Sequence, residues 1–113
     1  MGEINEANYQ AAFELVMYAG NSRSCSLMAM EAAREARFGD AEKHLREAEE
    51  ELKKAHDSQT GMLAQEAGGN PVELNIILVH AQDHLTMAMV MKDNAEEFLN
   101  LYRMVYEWKA REA

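Results

Sequence analysis

Between Ile76 and Met91 the sequence reads IILVHAQDHLTMAMVM. Only His80, Asp83 and His84 in this stretch can ionise, and Gln82 adds an amide. Polar groups set inside an apolar run are costly unless they are paired or used. At helical spacing His80, Asp83 and His84 stand three and four residues apart and share a face, whereas Gln82 points elsewhere. Three chemistries suit such a set. One is a hydrogen-bonded polar layer, with Asp83 accepting from an imidazole and fixing helix register. The second is a metal site, since His and carboxylate at these spacings ligate divalent ions. One helix supplies only two or three donors, and the remaining histidines, His44 and His56, lie apart in a charged segment. In a symmetric oligomer, Asp83 of every copy would converge on the axis and need a cation or shared protons. The third is covalent: a neutral imidazole is a good nucleophile toward phosphorus, and the phosphoramidate can pass its group on. The residue types alone leave all three open.

The elements that must position these groups are helical. Ala, Glu, Leu, Met, Lys and Gln dominate, and Pro71 is the only proline. Two sets of breakers divide the chain. At Phe38-Gly39-Asp40 the glycine is suited to end one helix and the aspartate to cap the next. The second set is Ala67-Gly68-Gly69-Asn70-Pro71. Helices are therefore expected over roughly residues 5–38, 40–67 and 73–110. In the first, Ala12, Leu15, Ala19, Ser22, Ser26, Ala29, Ala33 and Ala36 form a small-residue seam. It runs through Gly20-Asn21, which reads as a weak point in one helix, two shorter helices being the alternative. In the second the seam is Leu45, Ala48, Leu52, Ala55, Gln59 and Met62, with a solvated charged face.

The third segment has a seam of Ile77, Ala81, His84, Ala88, Met91, Ala95, Phe98, Tyr102 and Val105. Leu74, Leu78, Leu85, Met89 and Val90 lie off it. A helix apolar on most sides needs more cover than two neighbours give, and the simplest remedy is packing of copies around an axis. The expected fold is all-α, an antiparallel three-helix bundle in a single domain over residues 1–113. Tyr102, Tyr106 and Trp108 are expected to close the bundle end, Cys25 to pack as a small residue, and His44 and His56 to be solvated or locally capped.

Composition narrows the function. A net charge of −9 in 113 residues gives no basic stripe for nucleic acid and no attraction to anionic lipid. There is no P-loop pattern, because no lysine follows Gly68-Gly69, so no nucleotide cofactor is expected. One cysteine allows no internal disulfide, and the N-terminal residues lack the pattern of a signal peptide. The longest apolar run, Ile76 to Val79, is too short for a bilayer, and a cytoplasmic location is expected. Nine methionines leave open an interaction module with an adaptable surface.

The segment Leu78-Val79-His80-Ala81-Gln82-Asp83-His84-Leu85 resembles the signature of the lactose/cellobiose-type enzyme IIA of the bacterial sugar phosphotransferase system. Ala19-Gly20-Asn21-Ser22-Arg23-Ser24, the turn ARFGDA over residues 36–41, and Ala55-His56-Asp57-Ser58-Gln59-Thr60 are similar to other parts of that family's pattern. Thr86-Met87 departs from the Met-Thr common among its members. The resemblance implies a homotrimer through the third helices, with nine helices in all. It makes His80 the phosphorylated residue and gives Asp83 to the trimer axis, where a divalent metal such as Mg can be held. Gln82 and His84 become candidate phosphate-orienting groups. The implied partners are HPr as phosphoryl donor, a cysteine of a IIB component as acceptor, and a membrane-bound IIC reached indirectly. The alternative is a non-catalytic metal-binding or regulatory bundle built on His80, Asp83 and His84.

Overall fold

A computed structural model describes residues 6–112, the side chain of Asn8 excepted. Three helices follow one another: α1 (Glu6–Arg34), α2 (Phe38–Ala67) and α3 (Ile76–Glu112). They form the expected all-α bundle, and α1 is one unbroken helix through Gly20-Asn21. The expected start of the first helix at residue 5 lies outside the described residues.

Alanine and serine govern the packing. Ala12, Leu15, Ala19, Ser22, Ser26, Ala29 and Ala33 of the α1 seam are all buried. Such small side chains let α1 lie close along both other helices, while α2 and α3 meet over a shorter length. The bundle is long and thin, 70 × 20 × 18 Å, with a radius of gyration of 18.1 Å. A compact domain of about 100 residues has roughly 13 Å. Its core is correspondingly slender: Leu15 and Leu85 are the largest fully buried side chains.

The first turn differs from expectation. Gly39 does not end α1; it lies in the first turn of α2, whose N-cap is Arg37. The reversal is made at Ala36, which takes φ 62°. Around it Ala36 N–H donates to Ala33 O and Arg37 N–H to Ala32 O, closing the end of α1 as a Schellman motif. Asp40 receives Arg37 Nη1 at 2.9 Å instead of capping the helix. The same motif ends α2 at Gly69, φ +85°, with Asn70 N–H donating to Gln65 O.

The α3 seam holds in its first half, where Ala81, Ala88 and Ala95 are buried, but Leu78 and Leu85 join the core as well. Phe98 and Val105, placed on the seam by their spacing, are largely exposed. The buried face of α3 turns there to Ala95, Leu99 and Tyr102, with Leu99 packed against Ala32, Ala33 and Ala41, so Phe98 and Val105 face outward. Phe38 meets Tyr106 edge to face at 5.6 Å, and Arg103 lies over the same Phe38 ring while reaching Glu42 at 2.6 Å. Tyr106 thus helps close the bundle end, whereas Trp108, 65% exposed, does not. Half-buried Lys92 of α3 lies among Glu96, Glu49 and Asp93, and Glu49 brings in α2. Among the described residues no helix is long and apolar enough to cross a membrane.

Candidate functional site

The chain fixes the position of His80 one turn ahead of it. Asn75 Oδ1 accepts from Leu78 N–H at 2.8 Å, the geometry of an N-cap, so α3 starts at Ile76 and not near residue 73. The approach to this cap is held by Glu66, whose carboxylate accepts from Val72 N–H at 2.6 Å. Burial of Leu78, Ala81, Leu85 and Ala88 then sets the rotation of α3 about its axis. His80 and Asp83, between those positions, are turned outward.

His80 and Asp83 line one open groove of about 650 Å³ together with Phe13, Val16, Ile76, Ile77 and Val79. Five of these seven residues are apolar, so the imidazole of His80 and the carboxylate of Asp83 sit in an otherwise apolar groove. His84, half-buried, stands edge-on to His80 with ring centroids 4.3 Å apart and planes at 71°. The structure therefore brings His80, Asp83 and His84 together. It does not bring Gln82 to them. Gln82 faces α2, where its Oε1 accepts from Gln59 Nε2 at 2.6 Å, and Thr86 Oγ1 donates to its backbone carbonyl at 3.1 Å.

The remaining candidates lie elsewhere. His56 is exposed beside Leu52 and Lys92. His44 is half-buried with Nδ1 3.5 Å from Glu47 Oε2. Cys25 Sγ lies 4.0 Å from the same Glu47, and burial, then the charges of Glu47 and Glu51, push its thiol pKa up. Among the described residues no three His, Cys, Asp or Glu side chains of one chain are placed to hold a metal ion. Asp83 is a single carboxylate, so one chain alone does not fit a cation.

Two contributions were not read from the sequence. Phe13 and Val16 of α1 wall the groove, and nothing in their spacing separates them from other residues flanking the Ala12–Leu15 seam. Gln59 was assigned to the α2 seam; its place in the family-like string Ala55–Thr60 is the signal that it meets the histidine motif.

With this geometry, comparisons with known proteins carry weight. The family model "PTS system, Lactose/Cellobiose specific IIA subunit" matches residues 10–103. The lichenan-specific phosphotransferase enzyme IIA component of Bacillus subtilis is 42% identical over 104 residues, covering 92% of this chain and 94% of that protein. The lactose-specific EIIA component of Staphylococcus epidermidis is 42% identical over 91 residues, covering 80% and 88%. The crystal structure of the cellobiose-specific enzyme IIA from Bacillus anthracis superposes with a TM-score of 0.85 at 35% identity, over 87% of this chain and 90% of that one. Sequence and fold agree along almost the whole length, and the chain belongs to the lactose/cellobiose-specific IIA family, the phosphocarrier components of the sugar phosphotransferase system.

Proposed function

We propose that His80 is the residue that carries the phosphoryl group, taking it from phospho-HPr and giving it to a cysteine of a IIB component. The observation behind this reading is the outward-facing His80 imidazole at the rim of an apolar groove, backed by the ring of His84. A carrier must be reached by two different proteins in turn, and an open groove on the side of a helix allows that.

In the first step the lone pair of one His80 ring nitrogen, Nε2 by family expectation, attacks phosphorus. The N–P bond of phospho-HPr breaks and its electron pair returns to the HPr imidazole. In the second step a cysteine thiolate attacks, the S–P bond forms and the His80 N–P bond breaks. The protein's part is to position the group and to offer donors to its equatorial oxygens. His84, edge-on to His80, would do this within the chain; Gln82 would act only from a neighbouring copy.

The same reading takes the protein as a homotrimer joined through α3, whose outer face carries exposed Ile76, Val79, Met87, Val90 and Leu101. Asp83 of the three copies would then meet at the axis and hold a divalent ion such as Mg, which neutralises carboxylates that cannot all stay charged unaided. No transfer step is assigned to that ion. The cargo sugar is taken to be lactose, cellobiose or a related oligosaccharide, entering through a membrane-bound IIC.

Incubation with phosphoenolpyruvate, enzyme I and HPr, read by intact mass, tests the proposal. Wild type gains one phosphoryl group per chain and His80→Gln gains none. A His80→Gln protein that still relays phosphate from HPr to IIB overturns it.

A further inference from the structure

We infer that Asn94 forms a polar layer that fixes the register of self-association along α3. This rests on the homotrimer reading and goes beyond it by naming the residue that selects one assembly. Ile76, Asp83, Met87, Val90, Asn94, Leu101 and Trp108 follow one another at intervals of 7, 4, 3, 4, 7 and 7 residues. At about 100° per residue they lie within roughly 40° of one line along the helix, and Phe98, Val105 and, at its edge, His80 fall within the same bounds. All seven are exposed in the single chain, and in the stripe from Ile76 to Trp108 only His80 at the edge, Asp83 and Asn94 are polar.

Asp83 and Asn94 differ in what they demand. A carboxylate at a shared axis repels its copies. An amide both donates and accepts, so copies of Asn94 around an axis satisfy one another. Within the chain the Asn94 side chain makes no hydrogen bond to another described residue. That self-complementarity points to a second copy as the occupant of this face, because an unlike helix would have to supply donor and acceptor at one position of an apolar seam. The stripe also runs past the end of the α1–α2 hairpin, to Trp108, where no element of the same chain covers it. An asparagine in such a seam weakens association but excludes shifted registers, which would bury the amide against hydrocarbon, and narrows the copy number to the one whose axis geometry best pairs the amides.

The test compares full-length wild type, Asn94→Leu and Asn94→Asp by sedimentation equilibrium and native mass spectrometry at micromolar concentration. Wild type is expected as one trimeric species. Asn94→Leu is expected to dissociate at least tenfold more weakly and to populate more than one assembly size. Asn94→Asp, which adds carboxylates at the same layer, is expected to dissociate at least tenfold more readily at neutral pH. A wild-type trimer whose assembly is unchanged by both substitutions overturns the role of Asn94 and leaves the homotrimer standing. A monomeric wild type overturns both.

Discussion

His84 presents its imidazole edge-on to His80, with the centroids 4.3 Å apart, and it is the better buried of the two. On the proposed reading His80 is the group that meets a partner, and His84 beside it would donate to the incoming phosphoryl oxygens. His84→Ala is therefore expected to keep the phosphorylation site but to slow transfer from phospho-HPr by about a hundredfold, the usual loss for one positioned donor. Rapid-quench measurement of phosphoprotein formation checks this, and an unchanged rate assigns His84 to packing alone.

Ser22 and Ser26 share the α1 seam at 0% exposure yet differ in partners. Ser22 Oγ donates to Ala48 O at 2.8 Å, whereas Ser26 Oγ has no partner. Removing a satisfied hydroxyl loses a hydrogen bond, and removing an unsatisfied one relieves a desolvation cost. Ser22→Ala is expected to destabilise by about 1 kcal/mol and Ser26→Ala to stabilise by a similar amount. Urea unfolding of the two variants gives opposite signs if the bonding pattern is right.

Much of the fold was legible in this seam. Its spacing of three and four residues in small side chains marks the buried face of α1 from Ala12 to Ala33 and fails only at Ala36, which is exposed in the turn. The candidate site was legible in two steps: three ionisable groups in an apolar run marked the place, and only the resemblance carried by Leu78–Leu85 singled out His80 among the chemistries open there. The turn at Ala36 was not legible, since alanine rarely accepts a positive φ and Gly39 stood three residues on as a more obvious terminator. Nor was the pairing of Gln82 with Gln59, because helix spacing says which way a residue points but not which neighbour waits there.

Ala36 at φ 62° bears the strain that a glycine would avoid. Ala36→Gly is expected to raise stability by about 1 kcal/mol despite the greater freedom glycine gives the unfolded chain. Thermal unfolding should shift upward by a few degrees; a lower midpoint would mean that the turn tolerates alanine without cost.

The surface pair Glu42 and Arg103 links the start of α2 to the C-terminal part of α3 at 2.6 Å. The hydrogen bond from Arg103, followed by its charge, holds the Glu42 carboxyl below its ordinary value of 4.5. A carboxyl with a lowered folded pKa stabilises above its unfolded value and loses that contribution as pH falls through the folded one. Wild type should therefore unfold at a higher temperature than Glu42→Gln near neutrality, and the gap should narrow as pH falls below the ordinary carboxylate range and through the lowered folded value. A gap that stays constant with pH would place the effect in packing over Phe38 instead.

The bond from Gln59 to Gln82 separates a structural from a catalytic reading of Gln82. At 2.6 Å and half-buried, it ties α2 to the residue midway between the two histidines. Losing either partner leaves a half-buried amide unmatched, while replacing both with an apolar side chain of similar length restores the match. Gln59→Met and Gln82→Met should each cost about 1 kcal/mol, and the double variant should cost less than their sum. Phosphoryl transfer then distinguishes the roles. If Gln82 only joins the helices, the double variant transfers phosphate from HPr at the wild-type rate once folded. If its amide touches the phosphoryl group from a neighbouring copy, the rate drops in Gln82→Met and in the double variant alike. Gln59→Met, which keeps Gln82 but frees its orientation, should then fall between them.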